Sequence, residues 1–238
     1  MYKVLICSLL LAASPFQQRI HAQSADSTTR VTTRIKPMFI VPVAMVGYGF
    51  ASLHTPVLKQ WNKGVNTGIY EPGCNQRTSI DDYLQWAPAM AVYGLNLSGI
   101  KGKHNFVDRS FLFGMATLLQ GSTTHVLKRA IREARPDGTN SLSFPSGHTA
   151  TAFASAEFMR MEYKDVSPWY GVAGYAMAAT TGYLRMYNNR HWLSDVVAGA
   201  GIGILSAQAS YFLYPKIVRA LHKPQRRSAF GDYTTVTH

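Results

Sequence analysis

The sequence predicts an all-helical protein, a bundle of about five to six helices embedded in a membrane. Three observations point there. No stretch of the 238 residues alternates apolar and polar side chains as a half-buried strand does. Five segments of helical length, roughly 86–100, 109–128, 149–163, 168–184 and 192–214, are separated by turn residues. Small residues crowd the last two, in GYAMAATTG and AGAGIGILSAQAS, which lets helices approach closely as membrane bundles do.

Taken in order, the chain opens with MYKVLICSLLLAASPF, one Lys followed by an apolar run, and then RIHAQS. Residues 1–22 read as a secretory signal peptide with Ala22 at the cleavage point. Cys7 lies inside it and Cys74 stands alone after it, so the mature chain forms no internal disulfide. Residues 23–37 are a polar, Thr-rich tether. The apolar segment 38–53 carries Pro42, which makes it a poor straight span. Residues 54–85 read as a long connection with short helical or interfacial pieces, and Ser79 before IDDYLQW resembles a helix start with acidic residues in its first turn. The five helical segments follow, within a domain spanning 38–215, and 216–238 is a basic polar tail.

The bilayer reading has support and opposition. Segment 192–214 carries no charge between Asp195 and Lys216, whereas segment 149–163 contains Glu157 and Arg160, which are costly in lipid. The mean hydropathy of −0.06 also suits a soluble domain. Lys and Arg number 24 against 12 Asp and Glu, a net charge of +12, which points to an anionic partner. Nucleic acid is the weaker reading of that partner and is not expected, because no zinc-finger spacing, RNA-binding signature or basic heptad segment is present. A phosphorylated substrate or an anionic membrane surface remains.

Three blocks carry chemistry. In KRAIREARP, Lys128 and Arg135 place two permanent cations near a helix end, where they can clamp a phosphate. In SFPSGHTA, Pro145 and Gly147 are turn residues, Ser146 suits a helix cap, and His148 stands where backbone N–H groups can approach an anion. In RMYNNRHWLSD, Arg185 adds a third cation, and Asp195 lies one helical turn beyond His191, placed to orient its imidazole. Each block alone has a plain structural reading: dipole partners, a capped helix, a surface His–Asp pair. In an antiparallel bundle, however, all three loops fall at one end. A metal site is not expected, since no His or Cys pair has ligand spacing and three cations would oppose a fourth.

Together, Lys128-x6-Arg135-Pro136, Pro145-Ser146-Gly147-His148 and Arg185-x5-His191-x3-Asp195 resemble the three-part signature of the type 2 phosphatidic acid phosphatase and vanadium haloperoxidase superfamily, over about residues 84–215. Leu184 stands where that family often has Ser before the third-block Arg. The resemblance implies a helical phosphatase without cofactor or metal. His191 would be the nucleophile carrying a phosphohistidine, Asp195 its orienting carboxylate, and His148 the general acid and base. Lys128, Arg135 and Arg185, with backbone N–H groups at Ser146 and Gly147, would bind phosphate.

The implied substrate is a phosphorylated membrane lipid: phosphatidate, phosphatidylglycerol phosphate, undecaprenyl pyrophosphate or a phosphate of lipid A. A soluble, broad-specificity periplasmic acid phosphatase shares the same blocks, and a non-catalytic anion-binding membrane protein would need only the cations. The haloperoxidase branch usually has much larger chains. Lys101, Lys103, Lys164 and the tail from Lys216 lie at the end opposite the motifs, which favours an inner-membrane protein with the motif end facing the periplasm.

Overall fold

A single Asn–x–x–Asp pattern shows how locally this chain specifies its helices. Asn105 accepts from the Asp108 N–H at 2.9 Å and its amide donates back to the Asp108 carboxylate at 2.9 Å. That cap starts a 26-residue helix at Phe106, three residues earlier than apolar periodicity alone indicates. The computed structural model describes residues 37–73 and 77–221, all within one compact unit. The signal segment, the tether up to residue 36, Cys74 and everything beyond Leu221 lie outside the described residues.

Among the described residues, a short 3-10 turn at Pro37–Phe39 is followed by eight α-helices: α1 (Ile40–His54), α2 (Pro56–Ile69), α3 (Ile80–Leu84), α4 (Ala87–Leu97), α5 (Phe106–Ile131), α6 (Gly147–Tyr163), α7 (Pro168–Tyr187) and α8 (Leu193–Leu221). The described residues contain no strand. The five expected helical segments are α4 to α8. The short pieces expected within 54–85 are α2 and α3, which bring the number above the expected five to six.

Two expectations change. Pro42 does not break α1, because it sits in the first turn, where its missing N–H would have had no partner within the helix. The tail does not begin at Lys216: α8 runs on through Pro215 to Leu221. Ser79 precedes α3 as expected but makes no side-chain cap. The hydroxyl of Thr78 accepts the Ile80 N–H instead, at 3.3 Å.

α6 is the centre of the bundle, packed against α7, α8, α4 and α5, and nearly every residue of it is buried. Its contact with α8 is too close for ordinary side chains. A Cβ at Gly203 would lie 2.2 Å from the Ala150 carbonyl oxygen, and one at Gly199 would lie 2.5 Å from that of Ser146. Glycine here serves backbone approach, as the small-residue runs indicate.

The two charges that count against a bilayer are neutralised inside this core. Glu157 is fully buried and receives two hydrogen bonds from Arg160, each 2.6 Å, one from Tyr175 at 2.7 Å and one from Gln208 at 3.1 Å. Further along α6, Glu162 is held by His104, Arg109 and Tyr211, which fastens the α4–α5 loop to α6 and α8. The α5–α6 and α7–α8 connections meet at the other end, the end where the three sequence blocks fall.

Candidate active site

At that end the chain terminates each helix so that a functional side chain is left facing a common space. α5 stops at Ile131 because Arg132 turns left-handed, φ 54°, with Lys128 and Arg129 in its last turn. Lys128 Nζ donates to the carbonyls of Leu142 and Ser143, at 2.7 and 3.1 Å, which ties the α5–α6 loop back onto the helix. α6 begins under the side chain of Ser146, which accepts the Thr149 N–H. α7 ends at Tyr187, and Asn189, φ 58°, reverses the chain toward α8.

His191 sits in that reversal and is 2% exposed, two residues before α8 and not within it. Its Nδ1 lies 3.5 Å from Asp195 Oδ2. The same oxygen accepts from the hydroxyl of Ser143 at 2.5 Å and from the Trp192 N–H at 2.9 Å. Ser143 Oγ is also 3.4 Å from His191 Nδ1. Ser143 thus bridges the nucleophile candidate and its carboxylate, a role sequence reading missed. Because Nδ1 faces Asp195 and Ser143, Nε2 is the ring nitrogen left for chemistry. Burial holds the imidazole pKa well below its ordinary value, helped by Lys128, Arg185, Arg135 and His148. The ring is therefore neutral at neutral pH.

A cavity of about 560 Å³ opens beside this group, lined by Arg77, Asp82, Arg135, His148, Arg185 and Arg190 among others. Two of its guanidinium groups are incompletely satisfied. The Nε atoms of Arg135 and Arg185 are buried and have no hydrogen-bond partner among the described residues, as does Asp195 Oδ1. Buried charged donors without acceptors are costly, so these two mark where an anion belongs. Arg185 is not otherwise free: one terminal nitrogen is paired with Asp81, whose other oxygen accepts from Asn188 at 3.2 Å.

Six of the expected site residues, Lys128, Arg135, His148, Arg185, His191 and Asp195, are brought to one place. The expectation for Ser146 changes. Its N–H donates to the Asp195 carbonyl at 3.0 Å and its side chain caps α6, so it fixes the position of Asp195 and has no backbone donor left for phosphate. Gly147 is the first residue of α6. Besides Ser143, two acidic residues were missed. Asp81 pairs with Arg185, and Asp82 Oδ1 accepts from His148 Nε2 at 2.7 Å. The only sequence signal for them was their place in the first turn of a short helix. Asp81, Asp82 and His148 bring ligand-type atoms within 4.8 Å of one another. Asp81 is engaged by Arg185 and Asn188, and Asp82 by His148, so the cluster reads as paired acids and bases.

With the geometry in place, comparison with known proteins is informative. The chain is 43% identical over 145 residues to a lipid A 1-phosphatase of Porphyromonas gingivalis, a match covering 60% of this chain and 32% of that protein. It spans, therefore, about a third of the length of that relative. It is 25% identical over 184 residues to lipid phosphate phosphatase gamma of Arabidopsis thaliana, covering 70% of this chain and 79% of that one. Among solved structures, a transmembrane PAP2 type phosphatidylglycerolphosphate phosphatase from Bacillus subtilis aligns over 74% of this chain and 97% of its own, with 20% identity and a TM-score of 0.48. Residues 109–219 match the profile of the PAP2 superfamily, a segment that holds all three sequence blocks. This segment of the chain is similar to the PAP2 superfamily.

Proposed function

We propose that this protein is a metal-independent phosphatase that removes a phosphate from a membrane lipid through a phosphohistidine at His191. The observation that carries the reading is the buried His191–Ser143–Asp195 group set beneath a cavity holding unsatisfied Arg135 and Arg185 donors. The cations bind the non-bridging oxygens and Nε2 of His191 attacks phosphorus. As the bond to the lipid oxygen breaks, His148 gives that oxygen a proton. Asp195 stabilises the imidazolium-like ring. His148 then takes a proton from water, which attacks the phosphohistidine, and orthophosphate leaves with His191 regenerated. Lys128, Arg135 and Arg185 supply the charge stabilisation that a metal supplies elsewhere.

The lipid part of the reading draws on the printed names of the relatives and on surface. Among the described residues, two helices are long and apolar enough to cross a bilayer, Pro37–His54 and Leu193–Leu221. The apolar window of the first is only 17% buried in the protein, so Ile40, Val41 and Val43 face outward. Leu118 and Val126 do the same on α5. α2 exposes Val57 and Trp61 and carries Lys59 and Lys63, the composition of an interfacial helix, and its Asn66 donates to Asn189 beside the site at 3.1 Å. This arrangement supports a phosphate pocket at headgroup level, outside the hydrocarbon. The lysines at the opposite end favour a periplasm-facing pocket. The relatives make a lipid A 1-phosphate the first substrate to try, followed by phosphatidate, phosphatidylglycerol phosphate and undecaprenyl pyrophosphate.

The test is phosphate release by detergent-purified protein from that panel and from p-nitrophenyl phosphate, with His191→Ala alongside. Turnover of at least one lipid, abolished in the variant, is the expected result. A His191→Ala protein that keeps the wild-type rate sinks the mechanism. Protein recovered by osmotic shock without detergent, and preferring p-nitrophenyl phosphate to every lipid, replaces the lipid reading with a soluble acid phosphatase.

A further inference from the structure

His191 is not the only histidine here with a carboxylate partner. Asp82 Oδ1 lies 2.7 Å from Nε2 of His148. A partly exposed pair on a mobile surface would mean little, but α3 is anchored from several sides. Asp81 holds Arg185 and Asn188; Thr78 N–H donates to Asn188 at 3.0 Å, and Asn188 donates back to the Thr78 carbonyl at 2.8 Å. Gln85 closes on the Asp82 carbonyl at 2.8 Å. All of α3 lies outside the segment 109–219 that carries the family match.

We propose that Asp82 is a positioning residue for His148, orienting its ring and opposing loss of the proton that a poor leaving group needs. This rests on the phosphatase reading above. Asp82 engages Nε2, so Nδ1 is the nitrogen that exchanges a proton with substrate. The charged groups around His148 explain why a partner is needed. Arg185 of α7 faces it, Arg77, Arg135 and Arg190 line the same cavity, and His191 and Lys128 lie beyond. Burial and Arg185 push its pKa down, and Asp82 and, more weakly, Asp81 oppose them, with the net shift still downward. Without Asp82, the imidazole loses its main support against burial and Arg185, so its protonated fraction falls further, which leaves it good as a base for the water step and poorer at protonating an alkoxide.

That asymmetry gives the experiment. Asp82→Asn and Asp82→Glu are compared with wild type on a lipid monophosphate and on p-nitrophenyl phosphate, whose phenolate leaves without a proton. The Asn variant should lose about 10- to 100-fold in kcat on the lipid, within the usual worth of general acid catalysis. It should lose little on p-nitrophenyl phosphate, and its alkaline limb on the lipid should move to lower pH. Asp82→Glu, which keeps the carboxylate, should recover most of the lipid rate and guards against loss of the fold. Equal losses on both substrates, or an unmoved alkaline limb, overturn the role of Asp82 while leaving the phosphatase intact. A wild-type protein that hydrolyses neither substrate overturns the phosphatase reading and this proposal with it.

Discussion

Removing one hydroxyl, that of Ser143, should unfasten His191 from Asp195. The substitution is Ser143→Ala, which changes almost no volume at a fully buried position, so it reads the hydroxyl alone. What is lost is a 2.5 Å hydrogen bond to a buried carboxylate oxygen and a 3.4 Å contact to His191 Nδ1. A hydrogen bond to a charged group is worth about 1.5–3 kcal/mol. The Trp192 N–H still serves Asp195 Oδ2, at 2.9 Å, so the carboxylate is weakened and not abandoned. For a chain of this size each kcal/mol moves the midpoint by roughly 2–4 °C, so Tm should fall by about 3–12 °C. If the same energy holds the His191–Asp195 pair in reacting geometry, kcat falls about 10- to 150-fold. Thermal unfolding in detergent and phosphate release at saturating substrate measure the two. A variant within about 1 °C and about twofold of wild type refutes the bridging role, by the same scales.

Three further outcomes follow from the site. The depressed pKa of His191 means its neutral form survives as pH falls through the ordinary histidine value, so kcat/KM should not fall between about pH 7.5 and 6.5. An acid limb centred at or above the ordinary value would show that His191 titrates normally and is not buried among cations. Activity should survive EDTA and be inhibited by vanadate, which fits the same cation cradle; loss in EDTA restored by a divalent ion would overturn metal independence. Gly199→Ala forces a methyl to within 2.5 Å of the Ser146 carbonyl, whose residue holds Asp195 through its N–H. Overpacking of this kind costs about 1–3 kcal/mol against a helix-propensity gain of about 1 kcal/mol. Both Tm and kcat should therefore drop, and a variant as stable and active as wild type would show that α8 has room to shift.

What the sequence revealed of this site is set by the range of the interactions. α4 to α8 are legible because helical period, caps and turn residues are local, and the three blocks are legible because each sits within a dozen residues. Ser146 as a cap follows from its place before a Gly and a helix. Its N–H, by contrast, is spent on a carbonyl 49 residues away, which no local reading reaches. The same holds for Ser143, 52 residues from Asp195, and for Asp81, 104 residues from Arg185. These residues are short, polar and unremarkable in their own neighbourhoods, and only tertiary packing gives them partners.

Glu157 and Arg160 show the opposite error, a local signal that was available and read one residue at a time. Counted singly, each is a charge in lipid and argues for a soluble protein. Their i, i+3 spacing already puts them on one helix face, where a carboxylate and a guanidinium pair. In the fold, Tyr175 and Gln208 complete the set, so the bundle carries a neutralised polar knot where two isolated charges had been expected. Such a knot costs a membrane protein far less than two unpaired ions, since each buried lone pair and N–H finds a partner inside the protein. The argument against a bilayer therefore loses its strongest term, while the outward apolar faces of α1 and α5 remain, and the two together favour a pocket that meets its phosphate at a membrane surface.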